Sequence, residues 1–220
     1  FPCLEDFFSI KNLDHFAGVL IEPYQGSNPS LSMMKHITNN SREKLREQGV
    51  LLICDEVITG FRERYGSCNS SRKVNPDIVI FGKTAALGFP IGIVLVDNVI
   101  VRKLNTIPFW GGTASASPTQ IYYLKKSFIK LIKLDYSTIE KNLLSLHEIL
   151  NDSVQNAGFV IKSGCLFSRI LKTDKKNDSR AFVSDDKSYR LLQSKLKKLG
   201  FFIGNNALVF PSIYNPQNLE

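Results

Sequence analysis

The chain lacks any CxxC or CxxH pair, and it lacks an apolar run of the roughly 18 residues that a membrane span needs. Its four cysteines, Cys3, Cys54, Cys68 and Cys165, are scattered, and Cys54 sits inside an apolar run. That pattern suits reduced cytosolic thiols better than a disulfide framework or a zinc site. The N-terminal stretch FPCLEDFFSIKN has no charged segment leading into an apolar one, so the sequence reads as a soluble cytoplasmic protein. Zinc-finger, RNP-like aromatic and recognition-helix patterns are missing too, which leaves nucleic acid without a signature. The net charge of +8 comes with lysine clusters in LKKSFIKLIKLD, KTDKK and SKLKKLG. The first and third interleave with leucines and aromatics at helical spacing, so their charge belongs to the solvent side of amphipathic helices.

What is present is a core. With 220 residues and 43% apolar composition the chain can bury one as a single large domain, or as one domain with a smaller one appended. Strand-like and helix-like segments alternate. AGVLIE (17–22), VLLICDE (50–56), DIVIF (77–81) and IGIVLV (91–96) read as buried strands, and SMMKHITNNSREKLREQG reads as a helix stopped by Gly49. Continuous Val/Ile/Leu runs with a helix between the first two predict an α/β fold with a mostly parallel sheet covered on both faces. After Pro118 two long helices are expected, the second ending near Gly158. Short strands FVIKSG and LFSRILK follow, then a polar loop TDKKNDSR, a helix over DDKSYRLLQSKLKKLG, and FFIG paired with ALVFPS. That order divides the chain into a sheet domain, 1–134, and a smaller α+β domain, 135–220.

In an open parallel sheet, ligands bind beyond the carboxyl ends of the strands. Two such ends are charged here, at Asp55-Glu56 and at Lys83. Alternation along a strand sends Asp55 and Val57 to one side and Glu56 to the other, so the two carboxylates make a poor acid/base pair. Asp55 beside a flat apolar residue is a better seat for a charged aromatic ring. A phosphate-loop reading of Gly82-Lys83-Thr84 fails, because Asp77 stands where the first glycine belongs and Ile, Val, Ile and Phe fill the loop. Those residues build a strand, whereas a phosphate cradle needs backbone that can aim its N–H groups inward. A Schiff-base reading asks for a lysine amine and a carboxylate that keeps a pyridine nitrogen protonated, and Lys83 and Asp55 supply that pair.

LIEPYQG (20–26), LLICDEVITGFRERYG (51–66), PDIVIFGKTAALGFPIG (76–92) and WGGTASASP (110–118) resemble, in order and spacing, the class III pyridoxal-phosphate aminotransferases. The DEVITGFR segment is most similar to the branch containing glutamate-1-semialdehyde 2,1-aminomutase. The resemblance implies fold type I, pyridoxal 5'-phosphate as cofactor, and transfer of an amino group to or from an amino acid, semialdehyde or amine. It further implies that Lys83 carries the cofactor as a Schiff base and shuttles the proton, that Asp55 pairs with the pyridinium nitrogen, and that Val57 packs on the ring. Thr113 would reach the cofactor phosphate of a neighbouring subunit, making the active site a property of a homodimer. Glu22 and Gln25 would line the site, Glu22 as an organising carboxylate.

The match has departures. Leu87 stands where the family usually has glycine, SAS replaces SGN before Pro118, and ALVFPS lacks the arginine of ornithine-type relatives. Arg62, Arg169 and Arg180 are all candidates to hold a substrate carboxylate. Family members are about twice as long, and the turn that grips the cofactor phosphate belongs to the part of their pattern that precedes the first segment here. Two readings follow: the C-terminal half of an aminotransferase or aminomutase that needs completing, or a non-enzymatic truncated remnant acting as a binding or assembly partner. An exposed apolar face on the sheet favours the first, and a polar, closed edge favours the second.

Overall fold

The Val/Ile/Leu runs form strands, as their composition predicts. β1 (Gly18–Ile21), β2 (Leu51–Glu56), β3 (Ile78–Phe81) and β4 (Ile93–Val96) make a four-stranded sheet in that order. β1, β2 and β3 run parallel, with Ile21 opposite Cys54 and Asp55 opposite Ile80, and β4 runs antiparallel to β3. The reversal has a simple cause, since a parallel neighbour needs a crossover of about a dozen residues or more, usually through a helix. Residues 82–92 instead turn straight back.

This is a computed structural model that describes residues 13, 15–33, 39–72, 75–103, 112, 115–172, 187–198 and 200–209. They fall into two compact units, one holding the described residues up to Pro23 and from Met33 to Leu134, the other Tyr24–Ser32 and the described residues from Asp135 onward. In the first unit, α1 (Asn39–Glu47) brings Leu45 onto Ile21, Leu52 and Cys54, while α3 (Pro118–Leu131) brings Leu131 and Phe128 against Phe61, Phe81 and Ala85. A short α2 (Asn98–Lys103) follows β4. Full burial of one such aliphatic side chain is worth about 2 kcal/mol, and Leu45, Leu52 and Leu131 are all buried on this face. The other face departs from the expected double cover: Leu20 is 60% and Val94 52% exposed there. α3 starts where Ser117 accepts from the Gln120 N–H and Gln120 Oε1 accepts from the Ser117 N–H, a reciprocal cap with Pro118 in the first turn.

In the second unit, α4 (Tyr136–Asn156) starts at Asp135, whose carboxylate accepts from the Ser137 and Thr138 N–H groups. β5 (Phe159–Gly164) pairs antiparallel with β6 (Phe167–Lys172), and β6 with β7 (Leu208–Val209). Leu150, Val154, Phe159, Ile170, Tyr189, Leu192 and Leu196 form the core between this sheet, α4 and α5 (Lys187–Lys198). FFIG is not a strand, contrary to expectation, and β7 takes its partner from β6. Side chains of α5 claim the backbone that a strand would have used: Tyr189 Oη donates to the Gly204 carbonyl at 2.9 Å and Gln193 Nε2 to the Ile203 carbonyl at 2.8 Å. The expected loop TDKKNDSR lies outside the described residues.

The segment Tyr24–Ser32 joins this unit through Arg169. That guanidinium is buried in β6 and donates to the Gly26 carbonyl at 2.7 Å. Nearby, Gly164 is packed so closely that an added Cβ would lie 2.0 Å from the Pro29 carbonyl oxygen.

Candidate active site

Alternation along β2 separates its last two carboxylates. Leu52, Cys54 and Glu56 are buried, whereas Leu51, Ile53 and Asp55 are half-buried. Asp55 Oδ1 accepts the Val57 N–H at 2.9 Å, an Asx-type turn that ends the strand. Glu56 is fully buried and collects donors from where the chain returns: the Cys68 N–H at 2.8 Å, Asn69 Nδ2 at 2.7 Å and the Ser67 hydroxyl, with Thr59 Oγ1 at 3.5 Å. A carboxylate out of water needs such a set of donors. Burial first, and the negative charge of Glu56 second, push the neighbouring Cys54 thiol up to about 12, leaving it an inert core group.

Between those two anchors the chain closes on itself. Gly60 sits so near Phe81 that a Cβ there would lie 2.4 Å from the ring. Phe61, in a left-handed conformation at φ 60°, packs its ring 5.2 Å from Phe81 and 5.3 Å from Phe128. The turn is thereby fixed at the end of β2.

β3 ends one strand away, about 4.8 Å in a regular sheet. Its last residue, Phe81, faces Glu56. Gly82 follows, and a Cβ on it would lie 3.3 Å from Val57 Cγ1, so Val57 covers a backbone surface with little room for a side chain. Lys83 then opens a 3-10 turn (Lys83–Ala86) in a left-handed conformation at φ 41°. That conformation costs a residue with a Cβ about 1–2 kcal/mol, and such strain gathers at functional sites. Buried Ala85 and Ala86 hold the turn, while Lys83 itself is exposed. Leu87 caps it at φ 49°. A left-handed cap is where glycine costs least, which accounts physically for the glycine the family usually has there.

The remaining candidates divide. Glu22 is exposed one residue past the end of β1, and Gln25 belongs to the second unit. Arg62 donates its Nε to the Ile58 carbonyl and Arg169 is committed to Gly26. Burial lowers the pKa of Arg169. Thr113 and Arg180 lie outside the described residues. Sequence reasoning sent Glu56 to the side of β2 opposite Asp55, as found, but not to its donors, although a carboxylate on the buried side of a strand already signals such a set.

A cavity of about 720 Å³ lies elsewhere in this unit, between β4 and the start of α3, lined by Ile91, Ile93, Val94, Ile121 and Leu124 with Gln120 and Ser115. It is mainly aliphatic and contains none of Asp55, Val57 or Lys83. Among the described residues no cluster of three or more His, Cys, Asp or Glu could hold a metal ion, and no helix is long and apolar enough to cross a membrane.

A mostly parallel α/β sheet unit followed by an α+β unit, with a lysine and an aspartate on adjacent strand ends, has the fold type I architecture of the pyridoxal-phosphate-dependent transferases. The class-III aminotransferase family model matches residues 3–178, and the chain belongs to that family. A glutamate-1-semialdehyde 2,1-aminomutase from Hyperthermus butylicus is 32% identical over 200 residues, covering 88% of this chain and 47% of that protein. One from Chlorobium phaeobacteroides is 24% identical, covering 96% and 51%. Among solved structures, a PLP form of the Sphingopyxis sp. MTA144 FumI protein superposes with a TM-score of 0.72 at 20% identity over 96% of this chain and 50% of that one. An omega-transaminase from Sphaerobacter thermophilus gives 0.67 at 23% identity, over 89% and 47%. The chain spans about half the length of these relatives.

Proposed function

We propose that this chain supplies the lysine-bearing half of a pyridoxal-phosphate-dependent aminotransferase or aminomutase acting on a small amino acid, semialdehyde or amine, and that it works in the cytoplasm as part of a homodimer or a longer assembly. The observation that carries the reading is that Asp55 and Val57 stand at the end of β2 while a strained, exposed Lys83 follows the end of the adjacent β3, with Val57 beside Gly82. The residues present suit the cofactor. A planar, cationic ring needs a carboxylate at its nitrogen and a flat apolar wall, and Asp55 and the Val57–Gly82 contact offer both. When bound, pyridoxal phosphate supplies an electron sink for the substrate's amine-bearing carbon.

The chain's own groups then have separate tasks. With the cofactor bound, Asp55 would keep a proton on the ring nitrogen, Val57 would fix the ring plane, Lys83 would hold the cofactor through its amine and supply a group able to move a proton, and Glu22 would organise the rim. Thr113 is proposed to serve the phosphate of a partner copy. The half-open face bearing Leu20 and Val94 supports completion by further protein over the alternative of a self-contained non-enzymatic remnant.

The test is an absorbance spectrum of the purified chain with added pyridoxal phosphate, before and after borohydride, followed by peptide mass mapping. The expected result is a visible band fixed by reduction and a covalent mark on Lys83, both lost in Lys83→Ala. A band of equal strength in the alanine variant, or no band even when the chain is joined to the complementary half of a relative, sinks the reading.

A further inference from the structure

Asp55 and Glu56 are adjacent in sequence and opposite in environment. We infer that Glu56 is a positioning residue, whose pinned side chain sets the direction of Asp55 and the place of Val57. This rests on the cofactor reading above. The geometry comes first. Glu56 Oε1 accepts from Asn69 Nδ2 at 2.7 Å and from the Ser67 hydroxyl, and Oε2 accepts from the Cys68 N–H at 2.8 Å, so both oxygens are tied to the returning chain. The Glu56 carbonyl also accepts the Gly60 N–H at 2.9 Å, so the same residue closes the start of the turn.

A strand end held on one side by these donors, with Thr59 Oγ1 a fourth at 3.5 Å, cannot rotate freely about its axis. Rotation is what would swing Asp55, one residue earlier and on the opposite face, away from the Val57 N–H that it accepts at 2.9 Å. Ser67 is itself fixed, since its hydroxyl accepts the Asn69 N–H at 3.0 Å. Glu56 has no path to the reacting atoms, because it is fully buried on the closed face. Its effect on chemistry must therefore pass through Asp55 and Val57, as an outer support passes through the groups it orients.

The experiment compares wild type, Glu56→Gln and Ser67→Ala by amide hydrogen exchange on the whole chain, which requires no cofactor. Glutamine keeps the volume but presents an N–H₂ where donors already point. Exchange at Val57 is expected to quicken about tenfold in Glu56→Gln, together with Cys68, and about threefold in the milder Ser67→Ala, which keeps the inference testable should the first variant not fold. Quickening confined to Cys68 and Asn69, with Val57 within twofold of wild type, overturns it. The second readout is the pH midpoint of the cofactor's visible band, which Glu56→Gln is expected to move in the same direction as Asp55→Asn; a purely structural role leaves the midpoint in place. A chain that forms no Lys83 adduct even when joined to the complementary half of a relative defeats the cofactor reading alone, since Val57 exchange still decides the role of Glu56.

Discussion

Where β2 and β3 begin, Arg42 and Arg46 grip two carboxylates: Asp77 at 3.2 and 2.8 Å and Asp97 at 3.1 and 2.9 Å. Asp77 also accepts the Leu52 N–H at 2.8 Å, which ties the ion network to the sheet itself. Where the same strands finish, Asp55 accepts the Val57 N–H, and Lys83 has no ion-pair partner among the described residues. The two ends differ in what their charge is satisfied by. Paired and hydrogen-bonded charge holds α1 to the sheet; charge left facing outward from a strained turn is available to a ligand.

The comparison can be broken at its paired end first. Asp77→Ala strips a buried acceptor from two guanidinium groups and one backbone N–H, and the expected loss is on the order of 3 kcal/mol in urea unfolding. A loss below about 1 kcal/mol would show that the ion network matters little to the fold. The finishing end is expected to respond in the opposite sense. Leu87→Gly relieves a left-handed residue and should raise stability by about 0.5–1 kcal/mol, read from the shift in urea midpoint at unchanged slope. Lys83→Ala removes the reactive amine while leaving the same backbone strain, so its stability should stay within about 0.5 kcal/mol of wild type. A large loss there would make Lys83 a structural residue.

The smallest effect is a pH dependence at Asp97. The Val99 N–H is the largest influence and, with Arg46 and Arg42, holds its carboxyl below the ordinary carboxylate range, against an opposing effect of desolvation that is second in size. A carboxyl lowered on folding adds stability above its unfolded pKa of about 4, and that contribution is lost as pH falls through the folded value. The urea midpoints of wild type and Asp97→Asn should therefore differ at pH 6 and converge in stronger acid. Midpoints that stay equally far apart across that range would remove Asp97 from the network.

Much of the candidate site was legible because its signals are local. A β-branched run ending in Asp, a second ending in Gly-Lys, and their order along the chain are enough to put Asp55 and Lys83 at strand ends. The same period-2 pattern separates Asp55 from Glu56. It could not reveal that Ser67, Cys68 and Asn69 come back to Glu56, because those donors reach it from 11 to 13 positions away through a turn whose closure depends on Phe61 and Gly60 packing on Phe81. FFIG failed for a related reason: an apolar tetrapeptide reads as a strand until side chains of a separate helix claim its carbonyls.

The sequence by itself determined the α/β character of the first unit, the family, and the residue types that chemistry requires at two strand ends. Only the tertiary structure decided that β4 reverses, that Tyr24–Ser32 packs with the second unit through Arg169, that Lys83 and Leu87 take left-handed backbone, and that Glu56 is the buried anchor behind Asp55. The physical reason is range. Propensity and periodicity act over a few neighbouring residues, whereas strand direction, donor sets and backbone strain are settled by partners that meet only once the chain has closed.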